Sequence, residues 1–435
     1  MHLAVIGLGK LGCPMAALFA AAGNEVVAAD LSESVVAAVN EGRAPVDETG
    51  LEDLMAVAAP HLRATTSVED AAEEAEVAFC IVPTPSLPDG SFDTRIAETA
   101  FEAIGRGFAR KDLGRRVAVL TSTVLPGATE SRVKPALERG SGRSVGSELG
   151  LCYSPEFIAL GSVIENMRHP DMILMGASGS WAAETAVQAL RTVADEASVA
   201  LMSIVEAEMT KISVNGFITT KISYANMIAE ICEHLPGADA AIVTAAVGLD
   251  SRIGRKYLRP AAPYGGPCFP RDNTAFRALA SSFGVEADLA VATDRINRRQ
   301  TSALVTKILN LAGASPRVAI LGLTYKPFTP VAEEAFGVQL AKELLAAGLS
   351  VSAYDPRAVV DVPGLERTES AQDAIAKADV VVVATPWPEF AELEHVGSAF
   401  MFDYWRIVPD SVLSPSTRIF HPGVGPQLDD ELIAT

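Results

Sequence analysis

No two of the five cysteines form a CxxC pair; Cys13, Cys80, Cys152, Cys232 and Cys268 are scattered and odd in number. That spacing offers no disulfide framework and fits a reducing compartment. The six histidines make no HxxxH or HExxH pattern, so nothing indicates a metal site. Beyond the N-terminal stretch no run of about 18 uninterrupted apolar residues occurs, which excludes a hydrophobic membrane-spanning helix there. The opening MHLAVIGLGKLGCPMAALFAAAG is as apolar as a signal peptide. It lacks a basic n-region, however, and another motif accounts for its glycines, so a cytoplasmic protein is expected. Basic residues are scarce: 35 lysines and arginines face 54 acidic residues, a formal charge of -19. Such a surface repels phosphate backbones and anionic lipid, which argues against nucleic-acid or membrane partners and leaves room for a local anion pocket. No short-period repeat, low-complexity tract or long charge run is present.

What remains is a globular chain of 435 residues, 49% hydrophobic and 20% charged, long enough for about three domains. Leu3–Ile6, Glu25–Ala29, Val77–Val82, Val117–Thr121, Leu151–Tyr153 and Met172–Met175 read as strands. They alternate with alanine-rich helical stretches such as Met15–Ala22 and Ala97–Phe108. Short apolar strands joined by helices imply a parallel sheet covered on both faces. From about residue 200 the texture changes. VEAEMTKISVNGFITTKISYANMIAEICEHL has no proline and repeats its apolar residues at helical spacing, so one long helix is expected, ended by Leu235-Pro236-Gly237. After Pro316 the alternation returns, with strands at Val318–Leu321, Ser350–Tyr354, Val380–Ala384, Phe400–Phe402 and Arg418–Phe420 and a helix at Gly337–Ala347. The expected fold class is α/β: two Rossmann-like, doubly wound domains at 1–200 and 315–435, joined by a mostly helical region at 201–300.

Gly7-Leu8-Gly9-Lys10-Leu11-Gly12 follows a strand and opens a helix, the setting in which GxGxxG binds a dinucleotide. Gly7 permits the turn, Gly9 lets a pyrophosphate approach the backbone, and Gly12 lets helix pack on strand. Leu11 lies within the loop, and the helix start supplies amide donors. Asp30 ends the second strand, where a carboxylate binds the ribose of NAD and opposes the 2′-phosphate of NADP. The plainer alternative is a tight turn without ligand. Tyr264-Gly265-Gly266-Pro267-Cys268-Phe269-Pro270-Arg271-Asp272 is a rigid loop carrying one thiol, either a nucleophile or an inert buried cysteine. Glu208, Lys211 and Asn215 share one face of the long helix; taken alone, Glu208 and Lys211 read as an exposed ion pair. Ser154-Pro155-Glu156-Phe157 follows a strand at the sheet edge where open α/β sheets bind ligands. Glu156 there reads as a base or as a helix-start residue.

In this order the pieces resemble the UDP-glucose/GDP-mannose dehydrogenase family, the NAD-dependent nucleotide-sugar 6-dehydrogenases. The resemblance runs from VIGLGKLGCPMA through VPTPSLPDGSFD, TSTVLPGAT, SPEF, EAEMTKISVNGF, DSRIG and YGGPCFPRD to GLTYKP. It implies two Rossmann-like domains joined by a long helix, NAD as cofactor, a nucleotide-sugar substrate and a homodimer formed through the middle region. Cys268 is similar to the family's catalytic thiol. Lys211, Asn215 and Asp272 match the group around the reacting oxygen. Glu156 matches the base for hydrolysis, and Thr123 the threonine that orders a water near the nicotinamide. Thr84 matches a cofactor contact; Phe157, Arg252, Tyr257, Gly265 and Lys326 match the substrate side, with Arg406 a contact reaching from a partner subunit. The implied reaction takes a C6 hydroxymethyl to a carboxylate, UDP-glucose to UDP-glucuronate first among candidates. A UDP-2-acetamidohexose dehydrogenase and a binding protein without turnover are the alternatives. Leu160, Glu333 and Val35 replace a glutamate, an arginine and a basic residue that touch NAD in the family.

Overall fold

The computed structural model describes residues 1–427, which form two compact units, Met1–Ser213 and a second beginning at Val214. In the first, strands β1 (His2–Ile6), β2 (Glu25–Ala29), β3 (Leu62–Thr65), β4 (Val77–Cys80), β5 (Arg116–Leu120), β6 (Leu149–Tyr153), β7 (Ile173–Ala177) and β8 (Val199–Met202) form one sheet ordered β3-β2-β1-β4-β5-β6-β7-β8. Both faces are covered, and β4 shows how: Val77 and Phe79 enter one apolar core with Phe19 and Met175, while Ala78 and Cys80 enter the other with Phe101 and Leu137. Alternation along a fully buried strand feeds two cores at once.

The all-parallel expectation needs one correction. β6 and β7 pair antiparallel, Cys152 with Ala177 and Tyr153 with Gly176. A parallel return needs a crossover that spans the sheet, usually a helix, and the helix available between these strands, Val163–Arg168, is only six residues long. β3 and β8 escape a sequence reading because LRAT is half polar and β8 is only partly buried.

The long helix Ile204–Cys232 contains the boundary between the units. Helices Ala240–Val247, Phe269–Ser282 and Asp288–Ala312 follow. The second sheet comprises β9 (Arg317–Leu321), β10 (Ser350–Tyr354), β11 (Glu366–Arg367), β12 (Val380–Val383), β13 (Phe400–Asp403) and β14 (Arg418–Phe420). It is parallel throughout and ordered β11-β10-β9-β12-β13-β14. Its central strand β12 is four buried valines in a row, the signature of a strand with both faces covered. Among the described residues no helix is long and apolar enough to cross a membrane.

Candidate active site

The glycine loop joins β1 to the helix Gly12–Ala21. Gly7 has φ +94°, a left-handed backbone that a side chain disfavours. A Cβ on Gly12 would overlap the carbonyl oxygen of Gly7, whereas one on Gly9 would meet nothing within 4 Å. Two glycines are therefore demanded by the fold, and the third leaves backbone open to a ligand. Asp30, at the end of β2, accepts the Leu8 N–H at 2.8 Å through Oδ2 and the Ser32 N–H at 2.9 Å through Oδ1. It stays half-buried, with lone pairs left for ribose hydroxyls. An open glycine, a helix N-terminus and an accessible carboxylate fit a dinucleotide. Val35 and Leu160 both pack against the neighbouring apolar core, so neither offers a polar group to that ligand.

Further along the same sheet edge, the buried Thr84 donates its hydroxyl to the Thr123 carbonyl at 2.7 Å, coupling the loops after β4 and β5. Glu156 follows β6. Burial, opposed by the Lys211 charge, pushes its carboxyl up to about 7. Met167, Met172 and Leu190 line the apolar cavity on which Glu156 borders. Lys211 is itself buried; its ammonium donates to the Glu156 carbonyl at 2.7 Å and lies 4.5 Å over the Phe157 ring. The exposed-pair reading of Glu208 and Lys211 is corrected. Glu208 is fully buried and accepts the Gly127 and Thr129 N–H groups at 2.6 and 2.8 Å. It ties the long helix to the segment that follows Thr123.

In the second unit Cys268 is exposed at the N-cap of the helix Phe269–Ser282, whose dipole favours negative charge there. The other four cysteines are buried, and desolvation pushes Cys13, Cys80 and Cys152 up to about 12. In the first turn of that helix the buried Asp272 accepts from Asn215 Nδ2 at 2.6 Å, and Arg271 Nε lies 3.5 Å from its other oxygen. Gly265 has no room for a side chain, because a Cβ would overlap the Glu334 carbonyl oxygen. The Gly266 N–H donates to the Glu333 carbonyl at 2.9 Å, and Tyr325 packs on Gly266, so the segment carrying Glu333 and Lys326 borders the thiol loop. Tyr257 is half exposed in a left-handed conformation, its ring edge-on to Phe269.

Two of the expected substrate residues are engaged elsewhere. Arg252 forks onto Asp250 in its own loop. Arg406 forks onto Asp239 of the same chain with two 2.8 Å bonds. Beyond Glu208, the buried carboxylate of Glu48 was also not legible as a site feature. It accepts the Gly161 and Val163 N–H groups and holds the segment after Glu156. Its partners lie more than a hundred positions away, and no local pattern announces them. Among the described residues no cluster of three histidines, cysteines or acids is placed to hold a metal ion.

Comparison with known proteins bears on the family and the fold. Three family models match: the UDP-glucose/GDP-mannose dehydrogenase family NAD binding domain over residues 1–193, its central domain over 205–299 and its UDP binding domain over 319–410. The UDP-glucose 6-dehydrogenase AglM of Haloferax volcanii is 38% identical over 405 residues, covering 91% of this chain and 93% of that one. The UDP-glucose 6-dehydrogenase TuaD of Bacillus subtilis is 33% identical, covering 91% and 85%. The solved structure of a UDP-glucose dehydrogenase from Pyrobaculum islandicum superposes with a TM-score of 0.88 at 34% identity, covering 97% and 96%. A UDP-D-ManNAc dehydrogenase from Pyrococcus horikoshii shares the fold, with a TM-score of 0.83 at 24% identity, covering 97% and 99%. The chain belongs to the UDP-glucose/GDP-mannose dehydrogenase family of NAD-dependent nucleotide-sugar dehydrogenases.

Proposed function

We propose that this enzyme oxidises the C6 hydroxymethyl of UDP-glucose to the carboxylate of UDP-glucuronate through a covalent thioester on Cys268. The observation that carries the reading is a lone exposed thiol at a helix start, with the Asn215–Asp272 pair in the first turn behind it. Bound NAD supplies the hydride acceptor, one molecule for each two-electron oxidation. The residues of this chain supply the nucleophile, the base and the partners of the reacting oxygen. The Cys268 thiolate forms a C–S bond to the aldehyde-level C6, and the carbonyl oxygen takes up a proton, so no free aldehyde escapes. After the second oxidation C6 is a thioester. Water attacks it, the C–S bond breaks, the thiolate leaves and the carboxylate forms. Glu156, poised near neutral pH, takes the proton of that water. Lys211 and Asn215 supply cation and amide to the oxygen that becomes negative, and Thr123 positions the water. Gly7, Gly9, Leu11, Gly12, Asp30 and Thr84 line the cofactor's place; Phe157, Tyr257, Gly265 and Lys326 serve the nucleotide sugar.

A homodimer completes the proposal. The long helix buries Ile212, Ala225 and Ala229 together with Asn215, Thr219, Ser223 and Asn226, yet Phe217, Tyr224 and Ile231, seven residues apart, are exposed. An outward apolar stripe of this kind needs a cover, and a second copy of the same helix supplies one.

Incubating the protein with NAD and UDP-glucose, UDP-2-acetamidohexoses or GDP-mannose, and following the reduced cofactor, tests the reading. UDP-glucose should react best and yield two reduced cofactors per sugar. Cys268→Ser should abolish carboxylate formation, because serine lacks the acidity and leaving ability of the thiol. Carboxylate production by that variant at the wild-type rate would overturn the covalent route.

A further inference from the structure

We infer that Asp294 and Asn297, on the helix Asp288–Ala312, are positioning residues that set the geometry of the Cys268 thiol. The inference rests on Cys268 being the nucleophile proposed above. Neither residue carries a sequence motif, and both point into the loop Tyr264–Pro267 that delivers the thiol.

Asn297 grips the backbone of Tyr264 from both sides. Its Oδ1 accepts the Tyr264 N–H at 2.8 Å and its Nδ2 donates to the Tyr264 carbonyl at 2.9 Å. A side-chain amide thereby replaces the neighbouring strand that this loop does not have, and fixes both the position and the tilt of the peptide. One turn earlier, the buried Asp294 collects three donors. Its Oδ1 accepts the Tyr264 hydroxyl at 2.9 Å and Asn273 Nδ2 at 2.8 Å, and its Oδ2 lies 3.1 Å from Arg277. Burial, and then the negative Asp294, push the Tyr264 phenol up, so its hydroxyl remains a proton donor.

The consequence lies in where those partners sit. Tyr264 lies on one side of Cys268; Asn273 and Arg277 lie on the other, in the helix that starts at Phe269. Asn273 directly follows Asp272, and a third bond, from Asn273 Nδ2 to the Ala290 carbonyl at 3.0 Å, pins the same turn. One carboxylate and one amide, three positions apart, thus clamp the chain before and after the thiol to a single rigid helix. They do not touch the reacting atoms. Their effect is to hold Sγ against the positive end of the Phe269–Ser282 helix.

Alkylation of the native protein by iodoacetamide, read by intact mass, tests this without substrate or NAD. Cys268 is the exposed thiol and the other four are buried, so one adduct reports it. Asn297→Ala should slow alkylation at neutral pH at least threefold and move its pH midpoint upward. It should lower kcat about tenfold or more, with the KM for nucleotide sugar changed less than threefold. The exposed Arg299, on the same helix but paired with the half-exposed Glu230, gives the control Arg299→Ala, which should change neither. If Asn297→Ala does not fold, Tyr264→Phe removes only the bond to Asp294 and should move the alkylation midpoint in the same direction, with about a twofold loss of rate. A wild-type alkylation profile in the folded variant overturns the inference, whatever its melting temperature. An alkylation shift in a protein whose wild type oxidises no nucleotide sugar would leave the clamp standing and remove the proposed reaction.

Discussion

The two α/β regions solve the same folding problem and end with opposite chemistry at the same corner. Both sheets follow the order 3-2-1-4-5-6, with the first extended by β7 and β8. Both have a left-handed glycine after the first strand, Gly7 and Gly322, and a second glycine whose Cβ would overlap the first one's carbonyl, Gly12 and Gly337. Both end the second strand in an aspartate that accepts an N–H from the loop: Leu8 to Asp30 at 2.8 Å, Leu323 to Asp355 at 2.7 Å. The difference lies in what else the carboxylate does. Asp30 is half-buried. Asp355 is 5% exposed and also accepts the Thr324 N–H and hydroxyl, the Trp387 indole N–H and the Arg357 and Ala358 N–H groups. Its acceptor capacity is spent inside the protein. One corner leaves its carboxylate partly open and the other is closed by its own chain, so topology alone does not specify a dinucleotide site.

The largest effects should come from the paired glycines. Gly12→Ala and Gly337→Ala each force a methyl onto a backbone oxygen and should cost about 3 kcal/mol or more. Only Gly12→Ala should abolish NAD binding; calorimetric melting and NAD titration read the two quantities separately. An equal loss of NAD affinity in Gly337→Ala would dissolve the distinction between the corners. Lys211→Ala sharpens it from the open side. The loss of a buried cation beside Glu156 should lower turnover about a hundredfold, a few kcal/mol of transition-state stabilisation, with substrate affinity little changed. Unchanged steady-state turnover would return this lysine to a structural role.

The aspartates make a milder pair. Asp355→Asn places a donor among donors and should lower the melting temperature without altering NAD affinity. Asp30→Asn turns one of two accepting oxygens into a donor, so it should cost some stability but less than Asp355→Asn, and it should erode a preference for NAD over NADP expected to be about tenfold or more. Equal catalytic efficiency of the unaltered enzyme with both cofactors would remove Asp30 from the ribose. The smallest effect is a profile. As the base for hydrolysis Glu156 must be ionised, so the hydrolytic step should rise with pH through about 7 and then level off. Its raised pKa also means that stability falls as pH rises from the ordinary glutamate value of 4.5 to about 7 and is level beyond. Glu156→Gln should flatten both the rate and the melting curves.

Much of this molecule was legible in its residues. The long helix, the strands β2, β10 and β14, the dinucleotide loop and the thiol-bearing loop follow from periodicity, glycine placement and chemistry within a few positions of one another. Such features depend on local backbone sterics and on the burial of one face, and both are written in neighbouring residues. The antiparallel turn of β7, the burial of Glu208, the grip of Asn297 on Tyr264 and the closure of Asp355 were decided only in three dimensions. The turn of β7 depends on the crossover available to it, and the other three on which distant N–H or hydroxyl a polar side chain meets. A carboxylate left alone in the interior is costly and one given two or more donors is stable, so the same glutamate or aspartate reads alike in sequence until its partners are in place.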